Sequence, residues 1–258
     1  MQLFTGVGVA LLTLLDSDGD VDLEATGDLA ADLAARGMRA VLACGTTGEP
    51  ATLTPAERHE VVAAVRGAVP AAVPVIAGTG APTVELAALL TADAVAAGAD
   101  AILAGPPAGS ADQAGYAALS EYFGAVAAAA QGRPVLAYHF PKVSAPGVPV
   151  EALAALPVIG VKDSSGDPNR LLEEITRYPG DTYTGSSALL TLCGPAGGAG
   201  AILAAANVEP ELCAAAFGGD GAAQRALADV HLAGRAGGPP ALKQILAERR
   251  GLSALSRV

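Results

Sequence analysis

The chain has 258 residues, room for one large α/β barrel or two small domains, and its 52% hydrophobic content supplies ample core for the barrel. A formal charge of −11 gives no basic face for a phosphate backbone, which argues against nucleic acid and leaves small molecules or other proteins as partners. No apolar run reaches the ~18 residues of a membrane span, and the first residues lack the basic stretch of a secretion signal, so a cytoplasmic protein with no membrane partner is expected.

Short apolar runs ending in Gly, Thr, Ser or Pro alternate along the chain with alanine-rich stretches of helical character, the pattern of parallel strands and crossover helices. Val7 to Leu14 reads as the first strand and Asp22 to Arg36 as the first helix. Ala40 to Cys44 is the second strand, ending in Gly45-Thr46-Thr47-Gly48-Glu49. Thr54-Pro55-Ala56-Glu57 then offers an N-cap, a proline at the first helical position and an acidic first turn, leading into Arg58 to Val69. Strand Val73 to Ala77, helix Thr83 to Ala97, strand Ala101 to Ala104, helix Tyr116 to Ala130 and strand Val135 to Phe140 follow. Strand Val158 to Lys162, helix Asn169 to Arg177, and strands Thr182 to Thr184 and Ala201 to Ala205 complete the series. Gly37, Gly98 and Gly132 stand as C-terminal stops of three helices.

Eight runs whose ends fall about 20 to 34 residues apart make eight βα units, and no Gly-x-Gly-x-x-Gly fingerprint accompanies them. This predicts an α/β chain of (β/α)₈ barrel type, with a catalytic barrel over residues 1–219 and a short C-terminal helical segment over 220–258. In that segment, together with the residues just before it, Glu209 to Phe217, Ala222 to Leu232 and Pro240 to Arg249 read as helices, with a hinge at Gly234 to Pro240.

In such a barrel the active site lies at the carboxyl ends of the strands, so the reactive residues there carry the functional reading. Lys162 is one of only three lysines and ends the apolar run Val158-Ile159-Gly160-Val161. Partial desolvation at that position favours the neutral amine, a candidate imine-forming nucleophile, although a strand-end lysine can equally snorkel to water. Tyr138 on the fifth strand is placed to shuttle protons, or to serve as a core aromatic. Gly45 to Gly48 offers N–H groups and two hydroxyls to a carboxylate, or forms a glycine-rich turn with a capping threonine. Strands seven and eight add Gly185-Ser186-Ser187 and Asn207 to the same mouth.

Cys44, Cys193 and Cys213 are too widely spaced for a disulfide framework or a zinc site and read as buried apolar residues, with a reactive role open for Cys44. His59, His139 and His231 are too scattered to suggest a metal triad, so no metal is expected. His139 follows Tyr138 and should point out of the barrel.

Three segments in order, Gly45-Thr46-Thr47-Gly48-Glu49, Tyr138-His139-Phe140-Pro141 and Gly160-Val161-Lys162-Asp163-Ser164-Ser165-Gly166, resemble motifs of the dihydrodipicolinate synthase and N-acetylneuraminate lyase family of class I aldolases. Ala77-Gly78-Thr79-Gly80 and Gly185-Ser186-Ser187 extend the likeness. The resemblance implies a barrel enzyme, usually a homotetramer and here a tetramer or dimer, that needs no cofactor. On that resemblance Lys162 would form an imine with pyruvate or another 2-oxo acid, Thr46 and Thr47 would bind its carboxylate beside Gly45, and Tyr138 would act as general acid and base. Gly185 and Ile202 line the pocket by main chain.

Two departures bear on the second substrate. The synthases carry a pair of tyrosines after the proline ending strand four, where Ala108-Gly109 stand here, with Tyr116 further on. They also carry an arginine two residues beyond Pro141, where Val143 stands, and Lys142 cannot replace its bidentate contact. These changes predict a roomier, less cationic pocket for the aldehyde. The reaction expected is cleavage or formation of a C–C bond in a 2-oxo acid, for example by a 2-keto-3-deoxy sugar acid aldolase. The alternatives are a 4-hydroxy-tetrahydrodipicolinate synthase with an altered relay, a 2-oxo acid hydro-lyase, and a non-catalytic 2-oxo acid binder.

Overall fold

The computed structural model describes residues 2–110 and 116–258. Eight strands, β1 (Gly6–Ala10), β2 (Val41–Ala43), β3 (Val75–Gly78), β4 (Ala101–Ala104), β5 (Val135–His139), β6 (Gly160–Asp163), β7 (Asp181–Thr184) and β8 (Gly200–Leu203), run parallel and close into a barrel, β8 pairing with β1. The helices between them are α1 (Leu23–Ala35), α2 (Pro55–Ala68), α3 (Val84–Ala96), α4 (Ala117–Ala129), α5 (Val150–Leu153), α6 (Pro168–Arg177) and α7 (Leu190–Cys193). After β8 come α8 (Pro210–Phe217), α9 (Gly221–Ala226) and α10 (Ala228–Arg250). No helix among the described residues is long and apolar enough to cross a membrane.

Strand alternation divides the apolar residues into two cores. Ala10, Leu42, Ile76, Leu103, Leu136, Tyr183 and Ile202 fill the barrel, while alternate strand residues such as Val9, Val41, Val75, Ile102 and Val161 pack on the helices. Tyr183 closes the lower end by stacking on Phe4 at 4.6 Å and donating its hydroxyl to the Phe4 carbonyl. Leu227, Val230, Leu242 and Leu246 of the C-terminal segment join the outer core of the barrel.

Local chemistry sets the helix limits. Asp22, Thr83 and Asp167 cap α1, α3 and α6, and Thr54 with Glu57 forms a complete capping box on α2. Gly37, Gly98 and Gly132 adopt positive φ beyond α1, α3 and α4.

Most strand limits shift by a residue or two from the sequence reading, and two strand ends bear on the mouth. β1 ends at Ala10, because beyond Leu11 the buried run finds partners in side chains: Leu12 N–H donates to Asn207 Oδ1 and Leu14 N–H to Thr26 Oγ1. β8 ends at Leu203, and Ala205–Asn207 forms a 3₁₀ turn. The hinge expected at Gly234 to Pro240 is present as a kink at Gly238, where φ is 60° and ψ is −147°, between the two helical stretches that together make up α10.

Candidate active site

The β5–β6 register sets Tyr138 opposite Lys162, and the β6–β7 register sets Lys162 opposite Tyr183, so the three side chains share the barrel interior. Lys162 is buried, and its Nζ lies 5.0 Å from the centre of the Tyr138 ring. Burial pushes its pKa from 10.5 down to about 7, with no other cause resolved. The chain contains a second buried lysine, which shows what a structural lysine looks like here. Lys243 of α10 pairs with Glu49 at 2.6 Å and donates to the Leu255 carbonyl at 2.8 Å. Lys162 has no carboxylate partner among the described residues.

Tyr138 Oη is 3.3 Å from Thr46 Oγ1, and burial raises its pKa against the opposing hydrogen bonds of Ser164 and Thr46. Thr46–Gly48 is a 3₁₀ turn following Cys44, whose φ of 52° turns the chain across the mouth. Gly48 and Glu49 N–H groups donate to the Gly45 and Thr46 carbonyls, whereas those of Thr46 and Thr47 find no protein acceptor among the described residues. They are the open donors of a short helical turn, available to an anion. The turn is tied down on both sides. Thr13 Oγ1 donates to the Gly48 carbonyl at 2.9 Å, and the buried Glu49 carboxylate takes Lys243, Ser256 Oγ and Arg257 N–H. Close packing against β3 needs a glycine, since a Cβ at Gly78 would run into the Cys44 carbonyl.

A cavity of about 310 Å³ opens over Lys162 and is lined by Thr46, Thr47, Tyr138, Gly185 and Ile202 among others. The Gly185 N–H is occupied by the Asp163 carbonyl, which leaves its carbonyl for the cavity. Gly45 borders a neighbouring cavity of about 550 Å³, along with Ala108 and Val143; Thr46, Tyr138 and Phe140 are common to both.

Asn207 is not at the mouth: it is fully buried and ties the Leu12 N–H to the Ala10 and Ala204 carbonyls. His139 packs outside the barrel, its Nδ1 accepting from Val148 N–H, and burial lowers its pKa to about 4. Cys44 is buried, with a thiol pKa pushed up to about 12 by desolvation, which makes it a poor nucleophile. Among the described residues no cluster of three His, Cys, Asp or Glu is placed to hold a metal ion.

Several lining residues had no role in the sequence reading. Ser164 lies two positions beyond Lys162, and that spacing alone places it at the same face. Lys142, His231, Arg235 and Leu242 also line the cavity, the last three brought by α10. The pocket is therefore more cationic than the loss of the family arginine implied.

A (β/α)₈ barrel with a desolvated lysine, a partly buried tyrosine and a turn with two open N–H donors at its mouth is an arrangement suited to lysine-dependent aldolases and lyases. Residues 3–231 match the family model of the dihydrodipicolinate synthetase family. The 4-hydroxy-tetrahydrodipicolinate synthase of Pseudomonas aeruginosa is 37% identical over 238 residues, covering 88% of this chain and 80% of that protein. An uncharacterised DapA-like lyase of Halobacterium salinarum is 38% identical over 212 residues, 80% of this chain and 69% of the relative. Among solved structures, dihydrodipicolinate synthase from Aquifex aeolicus superposes with a TM-score of 0.86 at 29% identity, over 99% of this chain and 91% of that one. YagE from E. coli K12, solved in complex with pyruvate, gives 0.88 at 25% identity, over 98% and 91%. The chain belongs to the dihydrodipicolinate synthetase family.

Proposed function

We propose that the protein is a Schiff-base-forming aldolase or lyase that makes or breaks a C–C bond in pyruvate or a longer 2-oxo acid. The observation that carries this reading is the buried Lys162 amine, free of any described carboxylate and half neutral near pH 7. Its lone pair attacks C2 of the oxo acid, whose carboxylate is held by the Thr46 and Thr47 N–H groups. Tyr138, kept protonated by burial, gives its proton to the carbinolamine oxygen so that water leaves and the imine forms. The Thr46 hydroxyl, 3.3 Å away, is placed to return that proton. The protonated imine then withdraws electrons from C3, so that the C3–C4 bond of a longer oxo acid can break to an aldehyde and an enamine, with the C4 hydroxyl proton passing back to the Tyr138 oxygen directly or through the Thr46 hydroxyl, or form in reverse.

Residues 1–219 supply this chemistry, and residues 220–258 cover the mouth. The protein acts in the cytoplasm, where its three free, buried cysteines stay reduced, and as a homo-oligomer. A 4-hydroxy-tetrahydrodipicolinate synthase is the second reading, favoured by the names of the relatives. Against it, Val143 is 61% exposed at the position of the synthases' arginine. Turnover with aspartate semialdehyde separates the two.

The test is exchange of the pyruvate C3 hydrogens with solvent deuterium, followed by NMR. Wild type should exchange them, Tyr138→Phe should do so about 10²-fold more slowly, and Lys162→Ala not at all. Exchange that survives in Lys162→Ala refutes the reading.

A further inference from the structure

Resting on the imine reading, we propose that Arg235 and Lys142 form a distal anion subsite, so that the aldehyde half of the substrate carries a terminal carboxylate or phosphate. Acidic residues outnumber basic ones 26 to 15 in the chain, yet the cavity over Lys162 is lined by Lys142, Lys162 and Arg235 and by no Asp or Glu. Neither Lys142 nor Arg235 has an ion-pair partner among the described residues. Cations gathered without counter-charge in an acidic protein raise the local concentration of an anion and bind it.

The two come from different elements and straddle the nucleophile. Lys142 follows β5, beyond Phe140. Arg235 comes from α10, with its guanidinium against the turn after β6: a Cβ on Gly166 would lie 3.7 Å from Arg235 Nη1 and 3.6 Å from Ser186 Oγ. β6, which carries Lys162, pairs with β5 on one side and with β7 on the other. The open N–H groups of Thr46 and Thr47 follow β2, on the opposite side of the ring. One anion therefore has a place at the β2 side, next to the imine carbon, and a second at the β5–β7 side, where the chain beyond C3 extends.

Arg235 is held there by α10 and by α9 before it. His231, one turn earlier, bonds Ser187 Oγ at 2.9 Å, and Gln224 Nε2 donates to the Ser187 carbonyl at 2.8 Å. The bend at Gly238 then lays Pro239 and Leu242 along the same cavity. Arg235 lies beyond residues 3–231, the part that matches the family model, and Val143 occupies the family's arginine position. The cation thus reaches the site from a different part of the chain, with the planar fork that suits carboxylate and phosphate alike.

The experiment measures initial rates of condensation with pyruvate for three aldehydes: succinic semialdehyde, glyceraldehyde 3-phosphate and uncharged butanal. Wild type should use at least one charged aldehyde tenfold or more better than butanal in kcat/KM, and which one it prefers identifies carboxylate or phosphate. Arg235→Gln should remove most of that preference through a higher KM for the charged aldehydes, with a far smaller change for butanal, and Arg235→Lys should retain part of it. The subsite is refuted if butanal is used as well as the charged aldehydes, or if Arg235→Gln slows all three alike. Borohydride trapping with pyruvate, run alongside, separates the two levels. No adduct in wild type overturns the imine reading and the subsite with it, whereas an adduct without charge preference overturns the subsite alone.

Discussion

Replacing Lys162 by methionine should stabilise the fold while removing its chemistry. The lysine is 4% exposed, and its pKa falls from 10.5 to about 7 on burial. At 1.36 kcal/mol per unit this depression corresponds to about 5 kcal/mol of unfavourable burial of the charged form. The sign follows from proton linkage: between pH 7 and 10.5 the unfolded chain holds a proton that the folded one has lost, so stability rises with pH across that window. Below pH 7 the lysine is protonated in both states and the full cost is felt; above 10.5 it vanishes. Methionine is close in volume, keeps the packing against Tyr138 and Tyr183, and carries no charge. Urea unfolding near pH 6 should therefore find Lys162→Met more stable by several kcal/mol, with the gap closing as the pH is raised towards 10. A variant no more stable than wild type at pH 6, or a gap that does not change with pH, would refute the reasoning.

The same pKa sets the pH dependence of imine formation: kcat/KM for pyruvate should rise as the pH increases through about 7 and then level off, in a rate profile taken at constant ionic strength. Glu49→Gln leaves Lys243 buried without its carboxylate and should cost about 3 to 5 kcal/mol in urea unfolding; the double variant with Lys243→Met should recover much of that loss. Gly238→Ala places a side chain at φ 60° and ψ −147°, and should cost about 1 to 3 kcal/mol and raise the aldehyde KM by moving α10, while pyruvate trapping persists.

The barrel was legible because most of its parallel strands, covered on both faces, read as apolar runs, although β7 is Asp-Thr-Tyr-Thr. The same signal misled at Leu12 to Leu14, where the backbone N–H groups of Leu12 and Leu14 are buried but donate to the side chains of Asn207 and Thr26 instead of to a neighbouring strand. Hydropathy cannot distinguish a ladder from a buried loop with polar side-chain partners. Gly234 to Pro240 read as a hinge, and the structure places its kink at Gly238, with Pro239 and Pro240 tolerated in the first turn after it. At the site, Lys162, Tyr138 and Thr46 were visible because strand ends place them at one mouth. Lys243 and Arg235 were not, because their partners, Glu49 in one case and the turn at Gly166 in the other, are remote in sequence and meet them only through the packing of α10.

The central claim is that Lys162 is the nucleophile, and intact-protein mass after incubation with pyruvate and borohydride tests it most directly. Wild type should gain one reduced pyruvyl group per chain, mapping to the peptide that contains Lys162, and Lys162→Ala should gain none. An adduct that persists in Lys162→Ala, or that maps to Lys142 or Lys243, would contradict the account.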